Sequence, residues 1–190
     1  MVKENDYKLE PHRLRIEHLQ HIKPKDLRRL AALKDCVSVC INPTHLLSGV
    51  EEFRELLRPG DEGEMRNLYR CRSILDAGLT VSFGSDWPIM SASPLIAIKS
   101  AVHRIPRDSK SGKPFLPEER ITVEQALRCL TVNAAKMNGT SEYLGKIRPG
   151  FFADFTILDR NLLLNHKMKD LDNTKVLMTV MDGKIKNSVF

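Results

Sequence analysis

No apolar run in this chain approaches the ~18 residues that a bilayer-crossing helix needs. The opening stretch, Met1 to Lys8, is polar and charged and holds none of the apolar core of a secretion signal. Aromatic residues make up 6% of the sequence, with a single tryptophan, and that scarcity matters because the net charge is +6. A nucleic-acid surface would need a basic stripe interleaved with aromatic side chains. Here the lysines and arginines are scattered, and the densest stretch, Arg104 to Lys113, is broken by Pro106 and Asp108 and reads as a solvated loop. The four cysteines (Cys36, Cys40, Cys71, Cys129) form no C-x-x-C pair and no zinc-ribbon spacing. Cys36 and Cys40 flank an apolar run and read as small buried hydrophobes, and reduced thiols fit an intracellular protein. These absences set the expectation of a soluble, untargeted, cytoplasmic protein with neither a nucleic-acid nor a membrane partner.

What is present is ordinary globular material. The 190 residues are 42% hydrophobic and 28% charged, enough for one domain or a domain with an appendage. Three short apolar runs alternate with helical patterns. They are Leu14 to Glu17 ending at His18, Val37 to Ile41 ending in Asn42-Pro43, and Leu79 to Phe83 ending in Gly84-Ser85-Asp86. Each has the character of a parallel strand covered on both faces. Between them, a helix starts at Pro24 with Leu27, Leu30 and Ala31 as its apolar stripe. A second helix is predicted over 66–77, stopped by Gly78. The segment from Leu46 to Glu64 is long for a strand-to-helix loop, and such loops often cover a site; an inert surface excursion is the alternative.

Beyond Asp86, a helix is predicted from Pro94 to His103. Thr122 to Gln125 then forms a capping box ahead of a helix that buries Val123, Ala126, Leu127, Leu130, Ala134 and Met137 and ends at Asn138-Gly139. After residue 140 the pattern turns to strands. Ala153 to Leu158 alternates, with Phe155 and Ile157 on one face, and Val176 to Met181 is a second β-rich run. Asp182-Gly183 is a strong hairpin signal leading into Lys184-Ile185. The expected organisation is a main α/β unit over 1–140 and a small antiparallel β layer over 141–190.

Two candidate metal ligands sit where parallel strands end, His18 and Asp86. In (β/α) barrels the functional side chains gather at those ends, where the loops converge on one mouth. Imidazole and carboxylate suit zinc or a related divalent ion, and His45, four residues past the second strand, lies within reach of the same mouth. Each has a plain alternative: His18 as a hydrogen-bonded structural histidine, Asp86 as the cap of a turn. His12, His21, His103 and His166 read as exposed or packing histidines.

Several segments in order carry a family resemblance. Arg15-Ile-Glu-His18 with Gln20 resembles the sixth-strand segment of the amidohydrolase superfamily, in the branch of the N-substituted formamide deformylases. Asn42-Pro-Thr-His45 and Phe83-Gly-Ser-Asp86-Trp-Pro88 resemble that branch's seventh- and eighth-strand ends. Ile121 to Leu127, Leu144 to Gly150 with Ala153-Asp-Phe155, and Asp182-Gly183 are similar to its later segments, so the likeness runs from about residue 12 to 187. The resemblance implies the last three βα units of a (β/α)8 TIM-type barrel followed by a small β layer. It implies a hydrolase of non-peptide, amide-like C–N bonds that uses a metal-activated water on a small-molecule substrate. His18 and Asp86 would be metal ligands for a divalent ion such as zinc, and Asp86 also the catalytic proton shuttle. His45 and Trp87 would bind substrate. The family's first-strand H-x-H motif, mid-barrel bridging residue and fifth-strand histidine have no counterpart here, and a whole barrel takes roughly 250 residues. The expectation is therefore a truncated chain, inactive alone, with a non-catalytic fragment or scaffold as the alternative. Association into a homo-oligomer is left open.

Overall fold

The computed structural model describes residues 14–107, 109–164 and 167–189; Met1 to His12, Asp108 and His166 lie outside them. A three-stranded parallel sheet is formed by β1 (Leu14–His18), β2 (Val37–Ile41) and β3 (Thr80–Phe83), in that order. The register pairs Leu14 with Val37 and His18 with Ile41, then Ile41 with Phe83. All three strands thus end at the same level. That alignment is what brings their C-terminal residues to one place.

The middle strand β2 is buried at all five positions, as its Val-Ser-Val-Cys-Ile composition predicts, and β3 at all four. The expectation of burial on both faces fails for β1, where only Ile16 is even half-buried and Leu14 is 44% exposed. Its outer side has no neighbouring strand among the described residues, and Arg15 and Glu17 use that freedom to form an exposed ion pair at 2.8 Å.

Helix α1 (Pro24–Ala31) begins at its proline and buries Leu27. The next segment departs from expectation. Residues 46–56 are not loop but an 11-residue helix, α2 (Leu46–Leu56), and a 3₁₀ turn covers Glu62–Asn67. The apolar residues Leu46, Val50, Phe53 and Leu57 recur at helical spacing, and they pack with Met65 and Leu68 into a second small core. This core shortens the following helix. In place of one helix over 66–77, α3 covers only Cys71–Asp76. Leu68 bridges to His21, and the Tyr69 amide donates to the Gln20 carbonyl at 2.7 Å. Tertiary pairing with the loop after β1 therefore holds 68 and 69 out of the helix.

Helix α4 (Pro94–His103) has its predicted limits. The capping box is present, Thr122 accepting from the Gln125 amide at 3.1 Å while Gln125 Oε1 accepts from the Thr122 amide at 2.8 Å. The helix after it breaks at Thr131 into α5 (Val123–Leu130) and α6 (Val132–Met137). Val123, Ala126 and Met137 are buried there as expected, together with Cys129 and Ala135, while Leu127, Leu130 and Ala134 are only half-buried. Asn133 donates to the Val81 carbonyl at 2.9 Å and so ties α6 to β3. These helices and the sheet enclose the main core around Val39, Ile74, Val81, Ile98 and Cys129.

The antiparallel sheet joins β4 (Phe155–Leu158), β5 (Val176–Met181) and β6 (Lys184–Ser188). The hairpin turns at Asp182-Gly183, both with positive φ (51° and 70°), as a two-residue primed turn requires. Leu162, and Leu171 from α7 (Met168–Asp172), enter the main core, and Lys99 of α4 pairs with Asp172. Cys40, Cys71 and Cys129 are buried thiols. No helix among the described residues is long and apolar enough to cross a membrane.

The basic stretch also departs from expectation, because Arg104 is not solvated. It is 1% exposed and caps α4 in a left-handed conformation, φ 56°. Its guanidinium donates to the carbonyls of Tyr69 (2.8 Å), Phe115 (2.9 Å) and Leu116 (3.1 Å). Burial pulls its pKa down to about 10. Close by, the buried carboxylate of Glu119 accepts from the Ser73 amide at 2.9 Å and from Arg70 Nε at 3.3 Å.

Candidate active site

The shared level of the three strand ends brings together His18, His45 and Asp86. One ligand atom from each lies within 4.8 Å of the others, and no other such group is found among the described residues. Three separate backbone devices aim them. His18 lies at φ 69°, in a tight turn closed by the Leu19 amide donating to the Glu17 carbonyl at 2.9 Å. His45 ends the 3₁₀ turn Pro43–His45, held by its amide on the Asn42 carbonyl at 3.0 Å. Asp86 lies at φ 55°, and its carbonyl accepts from the Ile89 amide at 2.8 Å. Left-handed non-glycine residues are uncommon and cost about 1–3 kcal/mol each; having His18, Leu19, Tyr69 and Asp86 all in this region marks the mouth as shaped by more than local preference.

Gly84 lets β3 deliver Asp86 this close to β2. A Cβ there would stand 3.0 Å from Cys40 Sγ and 3.2 Å from Asn42 Nδ2.

His45 is the most constrained member. Its side chain is 12% exposed, and its ring lies 5.7 Å from that of His18. Nδ1 meets Gln20 Nε2 at 2.6 Å. An amide nitrogen only donates, so Nδ1 accepts and the ring proton sits on Nε2. Burial, followed by the charge of Asp86 in the opposite sense, leaves the pKa of His45 below the usual histidine value, which favours the neutral ring. Nε2 is buried without a hydrogen-bond partner and faces Asp86 Oδ2 at 3.5 Å. That is too long for a good hydrogen bond, so this N–H lies beside Asp86 without being bonded to it.

Gln20 had no expected role. Its position two residues after a strand-end histidine, within the segment that carries the family resemblance, was the available signal. Tyr69 also went unnoticed; its hydroxyl donates to the His45 carbonyl at 3.3 Å. The Tyr69 ring passes so close to α2 that a Cβ built on Gly49 would overlap its hydroxyl. Gly49→Ala will therefore displace Tyr69 and loosen His45, even though alanine is the better helix former by about 1 kcal/mol. The expected result is a net loss of about 1–2 kcal/mol in urea unfolding with a changed His45 ring signal in NMR. A variant more stable than the parent would show that the close approach is not needed.

Of the other expected residues, Trp87 stands beside Asp86 and is 70% exposed. The nearby cleft wall is built by Ile89 and Met90 instead. His21 is half-buried, stacked on Phe53 (5.7 Å between centroids, 18° between planes) and bonded to Glu64 at 2.9 Å. His103 ends α4 half-buried. The Glu64 carboxylate, which also accepts from Lys23 and Asn67, is pulled down to about 2 by these partners.

A fold of this kind with ligand-type side chains at its strand ends has clear counterparts. The amidohydrolase family profile matches residues 2–186. The chain belongs to that family. It is 36% identical over 172 residues to the protein LONG AFTER FAR-RED 3 of Arabidopsis thaliana, which covers 90% of this chain and 28% of that protein. It is 33% identical over 173 residues to the N-substituted formamide deformylase of Arthrobacter pascens, covering 91% of this chain and 30% of the relative. An uncharacterized metal-dependent hydrolase from Pyrococcus horikoshii OT3 superposes with a TM-score of 0.65 at 27% identity, over 79% of this chain and 29% of that one. The chain thus spans under a third of the length of each of these relatives.

Proposed function

We propose that this chain carries the latter part of the active site of a metal-dependent hydrolase acting on non-peptide, amide-like C–N bonds of small molecules. The observation behind this reading is the convergence of His18, His45 and Asp86 from three strand ends, with ligand atoms within 4.8 Å. In this reading β1 to β3 are the last three βα units of a (β/α)8 barrel, and residues 141–190 form the β layer appended to it. The three parallel strands in sequence order, with their chemistry at the C-terminal ends, support it.

The donor set fits a divalent metal such as zinc: a strand-end imidazole and a carboxylate, beside a buried donor, His45 Nε2, that no described residue satisfies. His18 and Asp86 would hold the ion. When bound, it supplies Lewis-acid activation that brings the pKa of a water toward neutrality. The remaining steps belong to side chains. Asp86 accepts the proton of the attacking water on a carboxylate oxygen and returns it to the leaving nitrogen, so no charge is left on the amine. His45, kept neutral by burial and oriented by Gln20, donates from Nε2 to the substrate carbonyl as negative charge grows on its oxygen. Catalytic zinc sites use at least three protein ligands, so full activity calls for donors beyond His18 and Asp86.

The test is to titrate the purified chain with zinc and manganese by calorimetry, then assay hydrolysis of simple amides and N-formyl amines. Stoichiometric metal uptake that is lost in His18→Ala supports the reading. A chain that takes up neither ion, in a folded state verified by circular dichroism, overturns it.

A further inference from the structure

Behind His18 lies a small cavity of about 20 Å³, room for a single water-sized or monatomic group. His18 and Asn42 border it on the strand side, Ile74 of α3 and Ala101 of α4 on the helix side, and Arg70 and Arg104 also line it. It is distinct from the cleft between α2 and Ile89, with which it shares only Tyr69.

Neither arginine uses all of its donors. Arg104 is 1% exposed, and its Nε and Nη1 go to backbone carbonyls, but Nη2 is buried with no partner among the described residues. Arg70 donates from Nε to Glu119 and from Nη2 to Ser73, and its Nη1 is likewise buried and unpartnered there. A buried guanidinium N–H left unpaired is costly, so two of them on one small cavity call for an acceptor.

Charge selects the kind of acceptor. Among the described residues, the only carboxylate bonded to either arginine is Glu119, which is 5% exposed and pairs with Arg70. Farther out, Glu118 and Arg120 act on Arg104 in opposite senses. One positive charge thus stays unbalanced where little water reaches, and a buried charge is stable only when paired. The neighbouring Cys71 thiol, whose pKa burial raises, adds no negative charge. Asn42 is the other polar group, with its Oδ1 buried and unpartnered. That oxygen suits a water as it stands, whereas an anion needs the amide turned to present Nδ2.

We propose that this cavity is a site for one small anion of halide size, held by Arg70 Nη1, Arg104 Nη2 and the turned amide of Asn42. It is independent of the hydrolase reading and needs neither a metal nor a substrate. The anion ties α3 and α4 to the end of β2 behind His18 and stabilises the fold by mass action. At ten times its dissociation constant it raises the ratio of folded to unfolded protein about elevenfold. That moves the melting midpoint up by about 3–6 °C.

The experiment is thermal unfolding of the 190-residue chain, followed by circular dichroism, in sodium gluconate, chloride and bromide at one ionic strength. A bromide-soaked crystal is read in parallel by anomalous scattering. A saturable rise of the midpoint in both halides is expected, with an anomalous peak at the cavity. Two variants separate the site from general salt effects. Arg70→Gln keeps a hydrogen-bonding group there and leaves Glu119 to balance Arg104, while Asn42→Asp supplies the negative charge from the chain itself. Each should melt alike in halide and gluconate; if one fails to fold, the other and the crystal still decide. Equal parent melts in all three salts overturn the site, and a bromide peak seen alongside them is binding at crystal concentration only. A halide effect that persists in the variants also overturns it, since it then arises elsewhere. Density without anomalous signal, with Asn42 Oδ1 facing it, is a water only and overturns it too.

Discussion

Replacing Asp86 by asparagine will lower the affinity of this chain for zinc or manganese by at least about a hundredfold while leaving its fold intact. Residues that merely orient a metal ligand already cost 10–100-fold when changed, so removing the anionic ligand we propose at Asp86 should cost more. Asparagine keeps the shape of the side chain and removes its charge and its basicity. The side chain is 36% exposed and is placed by backbone, through φ 55° and the turn to Ile89. Asparagine is among the residues that tolerate that conformation. In an assembly that turns over, the same change removes the acceptor for the water proton, and rate falls with metal affinity. Calorimetry against the parent, with unfolding curves for both, checks the prediction. Unchanged affinity would remove Asp86 from the metal centre.

The largest effect on stability is expected at Arg104. Arg104→Met preserves much of the side-chain volume but leaves the carbonyls of Tyr69, Phe115 and Leu116 without this donor. The Tyr69 and Leu116 carbonyls keep the Cys71 and Glu119 amides as donors, so what is lost is the charge-assisted hydrogen bonds, worth about 1.5–3 kcal/mol each, offset in part because the guanidinium no longer has to be desolvated. A net loss of about 2–4 kcal/mol follows, a large part of the stability of an ordinary domain. Urea unfolding should show a lower midpoint at an unchanged slope. Because Arg104 holds Tyr69, and Tyr69 holds the His45 carbonyl, the His45 ring signal in NMR should change as well. A variant within about 0.5 kcal/mol of the parent would mean that relaxation or water satisfies these carbonyls.

Arg104 also shows where reading a sequence stops. Its neighbours Pro106 and Asp108 and the lysines beyond suggested a solvated loop, and for Lys110 and Lys113 that is the outcome. Nothing local to Arg104 distinguishes it from them. Its partners are 11, 12 and 35 residues away, and only chain folding brings those carbonyls to one side chain. Residues 66–70 make the same point. Their helical pattern is genuine, but backbone bonding from Tyr69 to Gln20 and burial of Leu68 outweigh a propensity worth only tenths of a kcal/mol per residue. The helix over 46–56 is a different case, since its spacing of Leu46, Val50, Phe53 and Leu57 was there to be found.

Strand positions, the capping box, the Asp182-Gly183 hairpin and the strand-end placement of His18 and Asp86 could all be read along the chain. Each follows from neighbouring residues through backbone preference, capping or two-residue alternation, interactions that act over a few positions. The partnership of Gln20 with His45, the closure of Tyr69 over Gly49, the cleft between α2 and Ile89, and the burial of Arg104 could not. These depend on shape and desolvation between segments distant in sequence, and such terms come into being only once the sheet has set its strand ends at a common level.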